Sequence, residues 1–369
     1  MTESIADLRV TPLDALHRAL GARMVGFAGY AMPVSYPAGI LAEHRACREG
    51  AALFDVSHMG QAELRGPDAA PALTRLVPGD ILGLRPGRQR YTLLTNASGG
   101  IRDDLMVARL AEDRLFLIVN AACKAADFAH ISANLPPAVT LAEQPGRALL
   151  AFQGPKALAL LTPLAPALAS LPFMAVGECA IAGIPCLVSR SGYTGEDGVE
   201  ISLPAASAED LARTLLALPG VLPAGLGARD VLRLEAGLCL YGQDIDETTT
   251  PVAAGLAWTI GKRRRENWDF PGGAAIRDEL AAGPAQRRVG LRLEGRAPAR
   301  AGAVILAEGR EVGRVTSGGF SPTLAAPIAM GYVAAAFAQP GTALAIVVRE
   351  RALPARVTPL PFIPHHYAS

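Results

Sequence analysis

The spacing of apolar residues along the first two thirds of the chain predicts alternating helices and strands. Helical spacing marks four stretches, residues 12–20, 39–50, 121–131 and 225–238. The first stretch begins after Thr11-Pro12, a favourable cap and first-turn pair, and the second ends at Gly50. Apolar runs and apolar–polar alternation mark strands at residues 53–64, 91–94, 105–107, 115–119, 181–188 and 199–203.

From residue 288 onward the pattern changes to short apolar strands separated by frequent glycines. Such a pattern predicts an all-β C-terminal domain, and its size favours a small barrel. The chain has 369 residues, which is too long for one hydrophobic core. We therefore predict an α+β protein in which residues 1–280 form two interleaved α/β domains and residues 285–369 form the barrel.

Composition narrows the possible partners. The 35 Lys and Arg residues balance 34 Asp and Glu residues, and aromatic residues make up only 5%, so we expect no nucleic-acid binding. Five scattered cysteines without a C-x-x-C pair favour buried, free thiols in a reducing compartment. The start, MTESIADLRV, lacks the basic and apolar regions of a secretory signal, and no apolar run is long enough to span a bilayer. We therefore expect a cytoplasmic protein without a membrane contact.

Residues 189–200, SRSGYTGEDGVE, combine three glycines with Tyr193 and three carboxylates between two apolar runs. This arrangement predicts a strand, a tight turn and a second strand. Two interpretations stay open at this point. The polar groups could be placed for recognition or proton transfer, or the turn could simply be solvated.

Four acidic and basic residues, one of them in this stretch, are candidates for chemistry. Asp103 and Asp104 follow Gly99-Gly100, and only one of two adjacent strand residues can face a given cavity. The aspartate that faces the cavity could act on a reacting amine. Alternatively, both side chains could form hydrogen bonds with their own backbone in a turn. Glu200 suits a ligand edge with two parallel N–H donors. Alternatively, Glu200 and Arg229 form a structural ion pair.

Other polar features favour less specific roles. His58 lies within the predicted strand 53–64 and fits a core histidine better than a metal ligand. The six histidines are dispersed, so we expect no metal site. The basic run KRRR at 262–265 is either a solvated face or an attractor for an anionic partner.

Several stretches together, spanning nearly the whole chain in order, resemble the aminomethyltransferase (T-protein) family of the glycine cleavage system. They are GFAGYAMPVSYP (26–37), AEHRACREGAALFDVSHMGQ (42–61), YTLLTNASGGIRDDLMV (91–107), VNAACKAAD (119–127), SRSGYTGEDGVEIS (189–202), GLGARDVLRLEAGLCLYGQDIDETTTPVAAGLAWTI (225–260), RAPAR (296–300) and VTSGGFSPTLAAPIAMGYV (315–333). The resemblance implies a three-domain cloverleaf with a C-terminal β-barrel around a central tetrahydrofolate site.

The resemblance also implies the reaction. An aminomethyl group on the lipoyl arm of H-protein would pass its one-carbon unit to tetrahydrofolate, the co-substrate, giving 5,10-methylenetetrahydrofolate, ammonia and dihydrolipoyl H-protein. The implied catalytic residue is Asp104, and the residues implied for folate binding are Tyr91, Tyr193, Glu200, Arg229 and Tyr367. One family member has a tyrosine ligand where this chain has Leu238, so local packing around the folate would differ here.

Two alternatives share the implied architecture. The first alternative comprises the folate-dependent domains of dimethylglycine and sarcosine oxidases, and the demethylases of sulfur compounds. The second is a non-catalytic folate-binding protein, whose group has a Lys-Gly-Cys-Tyr motif followed by Gly-Gln. Here the comparable segment is GLCLYGQD, with a leucine between Cys239 and Tyr241. The full GGIRDDL context of Asp104 favours the enzyme.

Overall fold

The computed structural model describes residues 5–367 and contains nine α-helices within that range. The helices are α1 (Asp14–Ala19), α2 (Ile40–Glu49), α3 (Ala69–Thr74), α4 (Lys124–Ala133), α5 (Ala157–Leu161), α6 (Ala208–Leu216), α7 (Leu226–Glu235), α8 (Arg264–Asn267) and α9 (Gly273–Ala282). Short 3-10 turns occupy Ile5–Asp7, Pro166–Ser170, Ala205–Ser207, Ala257–Thr259 and Ala335–Phe337. No helix within the described range is both long and apolar enough to cross a membrane.

Twenty strands lie in the same range. They are β1 (Arg9–Val10), β2 (Arg23–Phe27), β3 (Tyr30–Ser35), β4 (Ala51–Asp55), β5 (Gly60–Arg65), β6 (Arg88–Thr95), β7 (Ile101–Ala111), β8 (Arg114–Val119), β9 (Thr140–Glu143), β10 (Arg147–Gln153), β11 (Val176–Ile181), β12 (Ile184–Ser189), β13 (Gly198–Pro204), β14 (Val221–Pro223), β15 (Gln286–Leu293), β16 (Val304–Ala307), β17 (Arg310–Ser321), β18 (Ala326–Ala334), β19 (Ala343–Val348) and β20 (Arg351–Thr358).

The strands form four sheets. A small sheet has the order β1-β3-β2, and a five-stranded sheet has the order β6-β7-β8-β5-β9. A six-stranded sheet follows the order β11-β12-β13-β10-β4-β14, so that β4 from early in the chain lies between much later strands. The barrel closes in the order β15-β18-β17-β16-β19-β20 around its own apolar core. The predicted α+β class with a C-terminal barrel is confirmed.

The two larger sheets face each other, and this arrangement positions the site. One face of the five-stranded sheet is covered by α3 and α4 through residues such as Leu73 and Phe128. The opposite face meets the six-stranded sheet, where Ala108 and Phe116 pack against Leu187. Burial of these apolar side chains between the layers stabilises the contact. The polar candidates therefore lie at the edge of an apolar interface between two rigid sheets.

Helix α7 connects the α/β part of the molecule to the barrel. Ala228 and Leu232 pack with Phe54 on one face of the six-stranded sheet. Leu234, from another face of the same helix, packs against Ile328 and Met330 of the barrel strand β18. The helix is therefore apolar on more than one side, as expected for a helix buried between domains.

The prediction of one continuous strand over residues 53–64 is wrong. The structure has two strands there, Ala51–Asp55 and Gly60–Arg65, joined by a turn. The backbone N–H of Ser57 donates a hydrogen bond to Asp55 Oδ1 at 2.9 Å, so the aspartate side chain closes a turn that the apolar alternation masked. His58 consequently lies in this turn and not within a strand.

Candidate functional site

Strand β7 separates the two adjacent aspartates. Asp103 is fully buried on the side of α4, whereas Asp104 is half-buried on the side that faces the six-stranded sheet. Asp104 lies directly opposite Leu93 in the antiparallel pairing of β6 with β7, so that Asp104, Leu93 and Tyr91 share one face. The two aspartates therefore lie on opposite sides of the sheet, and Asp104 is the one that shares a face with Tyr91.

The surroundings of Asp104 favour an exchangeable proton. Asn120 donates a hydrogen bond from Nδ2 to Asp104 Oδ1 at 2.7 Å. Burial and the nearby charge of Asp103 raise the pKa of Asp104 to about 7, although the Tyr91 hydroxyl and Asn120 favour the ionised form. A carboxyl with a pKa near neutrality can accept a proton and later release it.

An aromatic pair forms one wall of the site. The Tyr91 ring stacks on Trp258, with ring centroids 5.6 Å apart and an interplanar angle of 22°. Trp258 is 65% exposed, which is unusual for a large aromatic side chain in the described part of the chain. Sequence reasoning missed Trp258. The only signal was its position at the end of the GLAW segment, in the matched stretch 225–260.

Tyr193 and Arg229 form a second wall. The Arg229 guanidinium lies over the Tyr193 ring, 4.6 Å from its centroid. The Tyr193 hydroxyl donates a hydrogen bond to the carbonyl of Cys239, which fixes the ring. Burial raises the pKa of Tyr193, so its hydroxyl remains protonated at neutral pH. The aromatic face is therefore held between a cation and a backbone anchor.

Glu200 lies in β13, directly opposite Ser189 of β12. Ser191 Oγ donates a hydrogen bond to Glu200 Oε2 at 3.1 Å. Burial raises the pKa of Glu200, and the charge of Arg229 opposes that shift. Glu200 also lines a cavity of about 10 Å³ between the two sheets, together with Met106 and Ile118. Such a space is about the size of one water molecule.

The direct ion pair between Glu200 and Arg229 is not formed within the described residues. Arg229 Nη1 is buried and has no hydrogen-bond partner in that part of the chain. Burial lowers the pKa of Arg229, while the Glu200 carboxylate favours its charged form. A buried guanidinium nitrogen without a partner costs free energy, which a bound acceptor would recover.

Five of the six predicted site residues come together. Burial and the Asp104 carboxylate raise the pKa of both Tyr91 and Tyr193. Arg229 lies over the Tyr193 ring, and its charge opposes the raised pKa of Glu200. Tyr367 has different neighbours: its ring stacks on Phe173 at 4.3 Å, and the adjacent His366 bonds Glu196 at 3.0 Å. Among the hydrogen bonds, salt bridges and aromatic contacts of residues 5–367, none joins Tyr367 to the other five.

Three other features singled out in the sequence are buried or bonded to the backbone, as is typical of residues with a structural role. His58 is 3% exposed, and burial lowers its pKa to about 4. In the basic run 262–265, Arg264 is buried and donates to the Thr74 carbonyl, while Arg265 donates to the Ala257 carbonyl. Leu238 follows α7, and its N–H bonds the Arg233 carbonyl. These contacts favour a structural role for Arg264 and Arg265 over a free basic face.

One acidic group escaped the sequence reasoning about metals. Asp103, Cys123 and Asp127 place one potential ligand atom each within 4.8 Å of one another. Burial raises the pKa of the Cys123 thiol, which therefore carries its proton at neutral pH and is a poor metal donor. We assign no metal to this group.

Comparison with known proteins agrees with this geometry. The GCVT N-terminal domain model matches residues 13–264, and the model of the glycine cleavage T-protein C-terminal barrel domain matches residues 286–363. The chain belongs to the glycine cleavage T-protein family. The family resemblance found in the sequence is thereby confirmed.

Relatives of known name match along almost the entire chain. A mitochondrial aminomethyltransferase of Gallus gallus is 52% identical over 98% of this chain and 94% of its own length. The Homo sapiens enzyme of that name is 46% identical over 98% of this chain and 91% of its own. The names agree with the expected aminomethyltransferase activity. They also place these relatives in mitochondria, so the cytoplasmic location of this chain stays a prediction.

A solved structure confirms the cloverleaf fold. The glycine cleavage system aminomethyltransferase T from Bartonella henselae has a TM-score of 0.94 and 43% sequence identity. The match covers 98% of this chain and 100% of that one. The arrangement of two mixed α/β domains and a closed six-stranded barrel is thus that of the T-protein family.

Proposed function

We propose that this protein transfers the one-carbon unit of an aminomethyl-lipoyl H-protein to tetrahydrofolate. The products are 5,10-methylenetetrahydrofolate, ammonia and dihydrolipoyl H-protein. Full-length similarity to proteins named aminomethyltransferase supports the reaction. The observation that carries the residue roles is Asp104, a carboxyl with a pKa of about 7 on the same sheet face as Tyr91. Neither nucleic acid nor a membrane enters the proposal.

The ligand roles follow from chemical complementarity. The pterin edge presents an N–H and an NH2 side by side. A carboxylate such as Glu200 can accept a hydrogen bond from each of them. The rings of the folate need apolar and aromatic walls, which Tyr91 and Tyr193 offer. Arg229 has a buried nitrogen that lacks a partner among residues 5–367 and can donate to a ligand acceptor. Tyr367 remains a proposed ligand, since the adjacent His366 contacts Glu196 in the hairpin that carries Tyr193 and Glu200.

The chemistry requires a proton acceptor but no nucleophile from the protein. The transferred carbon loses its bonds to sulfur and to the amino nitrogen and gains bonds to N5 and N10 of tetrahydrofolate. The two N–H protons leave with the ammonia and the lipoyl thiol. N10 resembles an aniline and must lose its proton as the bridge closes, and we assign acceptance of that proton to Asp104.

One further observation supports a mechanism without a nucleophile from the protein. Burial raises the pKa of the Cys239 thiol, near the site, to about 12, so this cysteine stays protonated and is a poor nucleophile. The lipoyl sulfur itself is the leaving group. Most of the rate enhancement would then come from holding N5 and N10 against the lipoyl carbon in a space that excludes water.

The test is the variant Asp104→Asn. We expect kcat to fall by about 10²–10⁴-fold while tetrahydrofolate affinity stays within about threefold, because the amide keeps the volume but cannot accept the proton. In the unmodified protein kcat should rise with pH through about 7, as Asp104 ionises, and this rise should disappear in the variant. A reconstituted assay with aminomethylated H-protein and calorimetric titration of the folate measure both quantities.

The exposed Asp113, in the turn between β7 and β8, supplies the matched control Asp113→Asn. Its kcat and pH dependence should equal those of the parent. If Asp104→Asn turned over at a rate close to that of the control, Asp104 would not be the proton acceptor. The predicted cytoplasmic location is tested separately, by fractionation of the source cells.

A further inference from the structure

A second acidic group lies behind Asp104. Asp103 is fully buried and Asp127, in the first turn of α4, is 2% exposed. Potential ligand atoms of the two carboxyls lie within 4.8 Å of each other, together with the Cys123 sulfur. Two ionised carboxylates at that separation in a dry interior would repel strongly. The pair therefore needs a positive charge or a proton between its oxygens.

Nearby hydrogen-bond donors satisfy only one member of the pair. Asn120 donates to Asp103 twice, from its backbone N–H at 3.0 Å and from Nδ2 at 2.8 Å. Asp127 Oδ2 is buried and has no partner among the described residues. Such an oxygen is costly to leave unpaired.

Positive charge near the pair is scarce. The titratable groups whose charges bear on the pair or share its surroundings are Arg102, Asp104, Cys123, His130 and Tyr241. Arg102 is the only cation among them, because burial and the charge of Arg102 lower the pKa of His130. The charge of Arg102 favours the ionised form of Asp127. Burial and the neighbouring Asp127 raise the pKa of Asp103 to about 8, and burial raises the pKa of Asp127 to about 6. The two values belong to one coupled group.

We propose that Asp103 and Asp127 share one proton and act as a positioning pair for Asp104, with Asn120 as the link. The only bonds that form and break are those of this proton as it passes between a carboxyl oxygen of Asp103 and one of Asp127. The two N–H groups of the Asn120 amide reach Asp103 Oδ1 at 2.8 Å and Asp104 Oδ1 at 2.7 Å, so the pair and the reacting carboxyl are held in one frame.

The shared proton sets the net charge of the Asp103–Asp127 pair next to Asp104. With one proton, the pair keeps a single negative charge, and the two hydrogen bonds that Asn120 donates favour this charge on Asp103, beside Asp104. The charge raises the pKa of Asp104 towards neutrality. This second step rests on the proposed role of Asp104, whereas the shared proton itself does not.

Infrared difference spectroscopy tests the shared proton directly. Asp104 is itself partly protonated at pH 7, so the measurement uses the Asp104→Asn background. The spectrum of Asp104→Asn minus that of the double variant Asp104→Asn/Asp127→Asn should contain the carbonyl stretch of one protonated carboxyl. The double variant with Asp113→Asn in place of Asp127→Asn is the control, and its difference spectrum should lack this band.

The pH profile of turnover tests the link to Asp104. Asp103→Asn removes the charge beside Asp104, so its pKa should fall and the midpoint of the kcat profile should move down by about 1–3 pH units. Asp127→Asn keeps one charge on Asp103, so the midpoint should stay where it is. The Michaelis constant for tetrahydrofolate should change little in either variant, because neither residue contacts the ligand walls.

Two results would overturn the proposal. One is the absence of the carboxyl band at pH 7. The other is a stoichiometric metal ion in the purified protein that is lost in Asp127→Asn. These outcomes are separable from failure of the proposed function. Normal turnover of Asp104→Asn together with an intact band would refute the role of Asp104 and leave the shared proton standing.

Discussion

Asp103 and Asp104 are chemically identical neighbours, yet β7 gives them different environments. Burial raises the pKa of both carboxyls: that of Asp104 is about 7, and the value of about 8 for Asp103 belongs to its coupled pair with Asp127. An aspartate with a raised pKa in the folded state binds its proton more tightly there than in the unfolded chain. Its contribution to stability is therefore present below a pH of about 4 and is lost as the pH rises through about 7 to 8. The two buried carboxyls therefore lower the stability of the folded protein near neutral pH.

Glu200 gives the residue-scale prediction for binding. Glu200→Gln replaces one acceptor oxygen by a donor, so a ligand edge with two N–H donors loses one charge-assisted hydrogen bond. We expect tetrahydrofolate affinity to fall by about 10–100-fold, which corresponds to about 1.5–3 kcal/mol. Isothermal titration of the folate measures the change.

The exposed Glu143, at the end of β9, provides the comparison variant Glu143→Gln. Its affinity should match that of the parent protein. If Glu200→Gln also binds with unchanged affinity, Glu200 does not anchor the pterin. A loss of kcat without a loss of affinity would point instead to a role in the chemical step.

At the scale of elements, the turn between β6 and β7 sets the position of Asp104. Asn96 Oδ1 accepts a hydrogen bond from the Gly100 N–H at 2.9 Å and closes the turn. Asn96 Nδ2 then donates to the Glu247 carbonyl at 2.9 Å, and the Ile101 N–H bonds the Asp246 carbonyl at 3.1 Å. The turn is thus clamped to the segment after α7, from which Trp258 also comes.

Gly100 is needed for this clamp. A Cβ at position 100 would lie 1.8 Å from the Glu247 carbonyl oxygen, which is backbone and cannot rotate away. Gly100→Ala should therefore lower the free energy of unfolding by about 1–3 kcal/mol and reduce kcat, because β7 must shift. Urea unfolding and the reconstituted assay measure these effects.

Gly146 is the matched control, because a Cβ there meets nothing within 4 Å and its backbone lies outside the left-handed region. Gly146→Ala should leave both the stability and kcat near those of the parent. Equal stability of the two alanine variants would show that the β6–β7 turn is not tightly clamped.

The sequence predicted the elements better than their relative placement. Periodicity found α2 and the barrel because each has a strong local pattern. It merged β4 and β5, because the Asp55 side chain closes a turn within an apolar stretch. It could not place Trp258 beside Tyr91, since that contact joins residues far apart in sequence. Asp104 was selected from two aspartates by resemblance, whereas strand alternation showed only that one of them would face a cavity.

At the scale of the whole molecule, Glu235 joins three parts of the fold. It accepts hydrogen bonds from His44 at 2.9 Å and Arg48 at 2.7 Å on α2, and from Ser321 at 2.5 Å in the barrel. Burial alone would raise the pKa of Glu235, but these partners lower it to about 2. Stability from this carboxylate is therefore present above a pH of about 4.5 and is lost as the pH falls towards 2.

Glu235→Gln should destabilise the protein by about 3–5 kcal/mol at pH 7, because Arg48 and its neighbours lose a buried charge partner. The loss should be smaller at pH 3, so the acid limb of the stability curve becomes flatter. Urea unfolding across this pH range measures both effects. Glu209, an exposed partner of Arg213, supplies the comparison Glu209→Gln, for which a change below about 1 kcal/mol is expected.

The stacked pair of Tyr91 and Trp258 gives the protein an intrinsic optical reporter. The chain contains only two tryptophans, and the other, Trp268, packs beside Phe270 in a separate apolar cluster. A folate ring that enters beside Tyr91 would displace water from the exposed indole and quench or shift its emission. Titration of the unlabelled protein should follow ligand occupancy through this signal, and Trp258→Phe should abolish it while Trp268→Phe should not.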